Sequence, residues 1–442
     1  ERGAALGRGA VTCDTVPMAS QMDQPSQAWW AKPSAAGPST QPMRGSGAFC
    51  VGFAQPCCAN DEPLCGAQQR RPPGAECKEV AHTTKPDATA PPPSPGAFDA
   101  VVLGSGVSTA VPMMSHILQG ACPEGDVAVR KKDGLTVCEE AHRNPASKNR
   151  RFNVSLLVRY VPPEGGRTRH FMVDAGKTMR QAVLAAFPGL GASSVDSVLL
   201  THGHADAIMG LDDLRDLQVI EKVVEDGELV GYRPAGGSGA LRIISNEATL
   251  SVVRRVFPYI CGPPELVREG VLRRRVAHVE LQQVPDDNVV IEVAGLAVRL
   301  FPVWHGGTYV SLGFAFGQKP GAAKGGGDGY AFLYISDVKD VPPDTMAWLE
   351  DIAHAGIDLL VVDALSRKSH TTHFSLSDSL DFLRCVRPVR ALLVGMASCE
   401  LGDHDEVNEE LAALRESEGL DVQLAYDGQL LPEMPARAGP AQ

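Results

Sequence analysis

Two imidazoles and a carboxylate follow one another at intervals of two residues in Leu199-Leu200-Thr201-His202-Gly203-His204-Ala205-Asp206. In an extended segment residues i and i+2 point the same way, so a strand ending here aims His202 and His204 at one point. Neutral imidazole and carboxylate are the usual protein ligands of Zn²⁺, Mn²⁺ and Fe²⁺. Asp206 stands where a turn can direct it to a second ion or to a bound water. Other groups of the same chemistry lie at the ends of apolar stretches. His305 follows Phe301-Pro302-Val303-Trp304 and precedes a Gly pair, and Asp337 follows the apolar run 330–335. His370 and His373 fall in Ser369-His370-Thr371-Thr372-His373-Phe374-Ser375. Histidine titrates near neutrality, so such a residue suits proton donation to a leaving group.

The elements that must place these residues can be read from apolar periodicity. Stretches 100–103, 154–158, 171–174, 195–200, 241–245, 289–303, 310–316, 330–335, 359–363, 389–394 and 421–426 read as strands. Stretches 178–187, 208–217 and 344–354 read as helices, and another runs from a Ser375 or Ser377 cap to about Val386. Interleaving of the two kinds makes this an α/β chain. Gly104-Ser105-Gly106 reads as a structural turn, because Val111 and Pro112 argue against the helix that a phosphate loop needs. Asp174 has two readings, a brace behind the metal ligands or a plain turn former. Residues 119–150 look irregular and 218–290 look like an insertion. Within the latter, Arg254-Arg255 and Arg273-Arg274-Arg275 either steer a polyanion or form solvated faces. Residues 320–329 read as a glycine-rich hairpin loop.

At 442 residues and 44% hydrophobic content the chain can bury a large core. A formal net charge of −12 carries no general footprint for nucleic acid, and no apolar run of the length of a membrane span occurs. Residues 1–96 are Pro-, Ala- and Gly-rich without periodicity and read as a disordered extension ending in a Pro91-Pro92-Pro93 linker; 435–442 read as a disordered tail. Cys13, Cys50, Cys57, Cys58, Cys65 and Cys77 fall in the extension. They form either a redox or metal-binding tail or unselected composition, the latter preferred because their spacing fits no zinc module. The first residue is Glu1, which fits a processed chain or a partial sequence. The expected compartment is the cytoplasm, or an organelle if the extension is a transit peptide.

The run His202-Gly203-His204-Ala205-Asp206 resembles the His-x-His-x-Asp-His signature of the metallo-β-lactamase fold hydrolases. Val102-Leu103-Gly104-Ser105-Gly106 with Val111-Pro112, Phe171-Met172-Val173-Asp174-Ala175-Gly176 and Asp206-Ala207-Ile208-Met209-Gly210-Leu211-Asp212-Asp213-Leu214-Arg215 are similar to stretches of the phosphoribosyl cyclic phosphodiesterase branch and its eukaryotic relatives. The resemblance implies a four-layer αββα sandwich over residues 97–434. It implies one or two divalent ions, Zn or Mn. The first would sit on His202, His204 and His305, and the second on Asp206, Asp337 and His404, with Asp337 bridging. Where the signature has its last histidine this chain has Ala207, which should weaken the second site. The resemblance also implies catalysis through a metal-activated hydroxide, with Asp206 orienting the water and His373 (His370 in reserve) protonating the departing alkoxide. The implied substrate is a small or cyclic phosphodiester; a homodimer is allowed, a membrane is excluded and nucleic acid is disfavoured. Alternatives are a tRNA 3′-end-type endonuclease, a thioester or lactone hydrolase on the same fold, and a non-catalytic metal-binding protein.

Overall fold

The computed structural model describes residues 90–120, 134–235, 240–261, 267–268, 271–272, 275–319 and 329–436. All of them belong to the unit Thr83–Gln442. Residues 1–89 of the extension, with its six cysteines, most of the tail, Cys122, Arg273, Arg274 and the loop 320–328 lie outside the described residues.

Two sheets carry the fold. The first runs in the order Val279–Val284, Leu241–Asn246, Ser197–Leu199, Arg169–Val173, Ser155–Val161, Ala97–Gly104 and Gln429–Leu430, with Met434–Pro435 also paired to Ala97–Gly104. The second runs Val289–Val293, Leu296–Trp304, Val310–Lys319, Gly329–Ile335, Ile357–Asp363, Arg390–Val394 and Val422–Leu424. The period of two along each strand explains the layering. From the first strand, Phe98, Ala100 and Val102 enter the core between the sheets, where they meet Val298, Phe314, Phe316 and Phe332. The alternate residues Val101 and Leu103 enter an outer layer with Met179, Ala182, Val183 and Phe187 of the helix Met179–Leu190 and with Leu250 and Val253 of Glu247–Val256. On the far side, Phe301, Leu333 and Val362 pack under Leu349 and Ile352 of Pro343–Ala355, Phe382 and Leu383 of Leu376–Val386, and Val407 and Leu411 of His404–Glu418. Helices thus cover both outer faces, giving the four-layer αββα sandwich. Phe316 stacks on Phe332 with ring centroids 5.5 Å apart. Burying an aromatic side chain of this size is worth about 2–3 kcal/mol.

Some stretches differ from the reading of the sequence. Residues 289–303 form two antiparallel strands, reversed at Ala294-Gly295 where both residues have positive φ. Residues 137–143 are helical rather than irregular, opened by a capping box in which Thr136 Oγ1 accepts from Glu139 N–H and Glu139 Oε2 accepts from Thr136 N–H. The expected helix 208–217 is one α-turn, Ala205–Ile208, followed by a 3₁₀ segment, Leu211–Asp216. Part of 218–290 is a small sheet of Ile220–Glu225, Glu228–Pro234, Val271–Leu272 and Val267–Arg268. Arg254 pairs with Glu247 on an exposed helix face, as the solvated reading expects. Among the described residues no helix is long and apolar enough to cross a membrane.

Candidate metal centre

Strand ends from both sheets converge on one rim. His202 lies three residues past Leu199, the end of a strand, and His305 directly follows Trp304, the end of another. Asp337 is two residues past Ile335, in a left-handed conformation (φ 52°) that Asp tolerates better than most residues. His373 comes from the loop after Ile357–Asp363, the strand parallel to the one that delivers Asp337.

The donor atoms of His202, His204 and His305 all lie within 4.8 Å of one another, and so do those of His305, Asp337 and His373. His305 is shared, so the two groups are one constellation. Ring centroids are 4.6 Å apart for His202–His204, 4.9 Å for His202–His305 and 4.6 Å for His305–His373. Asp206, in the first turn after the strand, is buried and close enough for its charge to favour the protonated forms of His202, His204 and His373. Gly176 permits this approach: a Cβ there would collide with the Asp206 carbonyl.

Hydrogen bonds set which nitrogen of each ring faces the cluster. Thr201 Oγ1 donates to Asp174 Oδ2 (2.8 Å) and Thr201 N–H to Asp174 Oδ1 (2.8 Å). The threonine hydroxyl, with its proton so used, accepts from His202 Nδ1 at 2.8 Å. That leaves the lone pair on His202 Nε2, a buried atom with no hydrogen-bond partner. Asp174 therefore acts as the brace, not merely as a turn former. His305 Nδ1 likewise faces the Thr372 carbonyl at 2.7 Å, freeing Nε2. Tyr309 lies flat on His204 (centroids 5.1 Å, planes 7° apart) and its hydroxyl accepts from Gly203 N–H at 3.2 Å. The same loop folds back so that His305 N–H donates to the Tyr309 carbonyl at 2.8 Å. Gly306, at φ 86°, takes a turn conformation that a Cβ would strain.

Charges complete the description. Burial, with His305 alongside, holds His202 well below the ordinary histidine range and lowers His204. Both are neutral, the form that coordinates metals. Burial also opposes charge on His373, but Asp363, bonded to its Nδ1 at 2.8 Å, with Asp337 and Asp206 beyond, pushes it up to about 9. Burial raises Asp174 well above the carboxylate range, while the two Thr201 donors work in the opposite sense. Asp337 Oδ2 and Asp363 Oδ1 are buried without partners. Unpartnered buried lone pairs on His202 Nε2 and Asp337 Oδ2, beside the imidazoles of His204 and His305, are a donor set that fits a divalent cation.

His404 requires a correction. It had been expected among the ligands of a second ion, but it belongs to neither donor group. Asp403 caps the helix His404–Glu418 by accepting from Asp405 and Glu406 N–H. His404 thereby becomes the first helical residue, and its Nε2 accepts from Asn408 Nδ2 one turn on at 3.1 Å. Its ring stands edge-on to Tyr426, and burial together with Arg151 and Lys148 lowers its pKa to about 4. His373 is the imidazole found with Asp337 and His305 instead. Ala207 packs in the apolar layer with Leu200, Ile208 and Leu211. His370 is exposed, 5.5 Å from His373 between ring centroids. Asp363, Thr201 and Tyr309 were not singled out from the sequence.

Comparison with known proteins agrees with this architecture. The family model of the β-lactamase superfamily domain matches residues 169–396, just over half of the chain. The octanoyltransferase of Porphyromonas gingivalis (strain ATCC BAA-308 / W83) is 26% identical over 298 residues, 67% of this chain and 45% of that protein. The chain thus spans less than half the length of this curated relative. Among solved structures, a new diphosphatase from the PhnP family is 25% identical with a TM-score of 0.53, covering 77% of this chain and 98% of that one. Zn²⁺-bound PqqB from Methylobacterium extorquens is 20% identical with a TM-score of 0.48, covering 76% and 99%.

Proposed function

The chain belongs to the β-lactamase superfamily domain family and is a metallo-β-lactamase fold hydrolase, and from that premise we propose that it cleaves a small or cyclic phosphodiester. The observation that carries this reading is the pairing of His373 with Asp363 at the edge of the donor constellation. An imidazole oriented by a carboxylate beside a cation site can deliver the proton that departure of an alkoxide from phosphorus needs. The likeness to a diphosphatase supports phosphorus chemistry, and the acidic chain argues against a polyanionic substrate. The hydrolase domain would run over residues 97–434.

In this reading His202, His204 and His305 would hold one resident ion, Zn²⁺ or Mn²⁺, and Asp337, grouped with His305, would be a further ligand available beside them. Bound there, the ion supplies Lewis acidity toward a phosphoryl oxygen and makes water a better nucleophile at neutral pH. Asp206 orients the attacking water and takes up its proton. The His373 imidazolium offsets charge added at phosphorus and gives its proton to the leaving oxygen, while Asp363 keeps the ring oriented. With Ala207 packed in the apolar layer and His404 elsewhere, a second ion would have fewer ligands than the family signature offers.

The test is hydrolysis of bis-p-nitrophenyl phosphate by protein loaded with Mn²⁺ or Zn²⁺. Turnover that is lost in His202→Ala is expected. No turnover by metal-loaded protein, or equal turnover by His202→Ala, overturns the proposal.

A further inference from the structure

Two buried hydroxyls sit where the strand Gly329–Ile335 runs out toward Asp337, and the reaction described above uses neither. Tyr334 is 1% exposed, and its ring packs between the two sheets with Val173, Leu199 and Phe314. Val173 directly precedes Asp174, and Leu199 is two residues before Thr201. The ring therefore packs against both segments that form the brace of His202. Ser336, two positions on, is fully buried. Tyr334 Oη and Ser336 Oγ have no hydrogen-bond partner among the described residues.

Buried hydroxyls are nearly always hydrogen-bonded, to protein or to an ordered water. A phenylalanine would fill the same apolar space without stranding a polar atom, so the tyrosine calls for a partner. The surroundings supply one. Burial, followed by the charges of Asp174, Asp337 and Asp363, holds the phenol well above the ordinary tyrosine range, while Ser336 beside it works in the opposite sense. Tyr334 thus keeps its proton and is a donor. Of the three carboxylates Asp174 acts on it most strongly. Each Asp174 oxygen takes one bond from Thr201 and has a second lone pair to offer. Asp174 is fully buried, with the charges of Asp337 and Asp206 also acting on it, so a third donor helps it remain the carboxylate that accepts from Thr201. Two unpartnered hydroxyls and a carboxylate are also the number of polar groups that hold a buried water.

We propose that Tyr334 is a positioning residue of the metal centre. With Ser336 it holds one internal water, which accepts from the two hydroxyls and donates to the Asp174 carboxylate. The brace then runs from Tyr334 through the water to Asp174, on to Thr201 and so to His202 Nδ1, a role that rests on the reading of His202 as a metal ligand.

The full chain is titrated calorimetrically with Mn²⁺, a cation that thiolates do not favour. Tyr334→Phe keeps the ring and removes only the hydroxyl, and it should weaken Mn²⁺ binding about tenfold. Ser336→Ala should act in the same direction. In Thr201→Val, where the link from Asp174 to His202 is already cut, adding Tyr334→Phe should change the affinity no further. Equal affinities of Tyr334→Phe and the wild type overturn the proposal. So does a tenfold loss that persists in the Thr201→Val background, which would mark a general effect on the fold. Crystals of the wild type and of Tyr334→Phe give a second readout. A water peak within hydrogen-bond distance of Tyr334 Oη, Ser336 Oγ and an Asp174 oxygen is expected, and it should be lost in the variant. A wild-type chain that takes up no Mn²⁺ overturns the reading of the centre and this inference with it. A wild type that binds Mn²⁺ but shows no such water overturns this inference alone.

Discussion

His404→Gln separates two roles for one residue. In the structure His404 is 2% exposed, held neutral by burial and by the cations Arg151 and Lys148, with a pKa of about 4. In the unfolded chain it returns to about 6.5. A histidine whose folded pKa is depressed stabilises the fold fully above about pH 6.5, and that contribution is lost as pH falls toward 4, because the unfolded chain binds the proton first. The gap of about 2.5 pH units, at 1.36 kcal/mol each, amounts to about 3 kcal/mol, of which most is lost by about pH 4.5. Glutamine cannot titrate, and its side-chain carbonyl can still accept from Asn408. Urea unfolding of both proteins at about pH 7 and about pH 4.5 should therefore show a smaller loss on acidification for the variant, by about 2–3 kcal/mol. Retained metal should be unchanged, since His404 stands outside the donor groups. Equal acid sensitivity of the two proteins would refute the electrostatic reasoning, and loss of an ion from His404→Gln would return this residue to the ligand set.

Asp363→Asn should lower kcat about 10²-fold, within the range for a misplaced general acid. It should also move the alkaline limb of the rate profile to lower pH, because His373, without its carboxylate partner, loses its proton earlier; an unmoved limb counts against His373 as the donor. Tyr309→Ala should weaken metal binding about tenfold in a calorimetric titration, with Tyr309→Phe restoring much of it, since the ring that lies on His204 is retained. Equal affinities for all three proteins would leave Tyr309 without a positioning role. Thr201→Val breaks the link from Asp174 to His202 and should likewise cost about 10–100-fold in metal affinity; an unchanged dissociation constant would show that the link does not orient the ring.

How much of this was readable in advance depended on whether local geometry or the sheet order decides the outcome. His202 and His204 were legible because a strand repeats every two residues and their segment leaves a buried strand. His305 and Asp337 were legible for a related reason, as each closely follows the end of an apolar run. The partnership of Asp363 with His373 was not, although Asp363 was visible as a strand end. It depends on the loop after that strand folding back, with Leu365 N–H donating to the Phe374 carbonyl, so that His373 returns to the strand end, a path no local pattern announces. His404 was misplaced by elimination, as the one histidine in its loop. Asp403, with Asp405 and Glu406 just after it, carried a helix-start signal that would have turned the chain away from the ligands. The helix at Val137–Arg143 had a similar signal in Thr136-Val137-Cys138-Glu139.

The central claim is that strand ends from both sheets gather imidazoles around one cation. Anomalous diffraction from crystals grown with Zn²⁺, collected above and below the zinc edge, tests it directly. A peak about 2.0–2.2 Å from nitrogens of His202, His204 and His305 is the predicted result. Crystals in which these three rings surround no anomalous peak, while zinc is bound elsewhere on the chain, would contradict it.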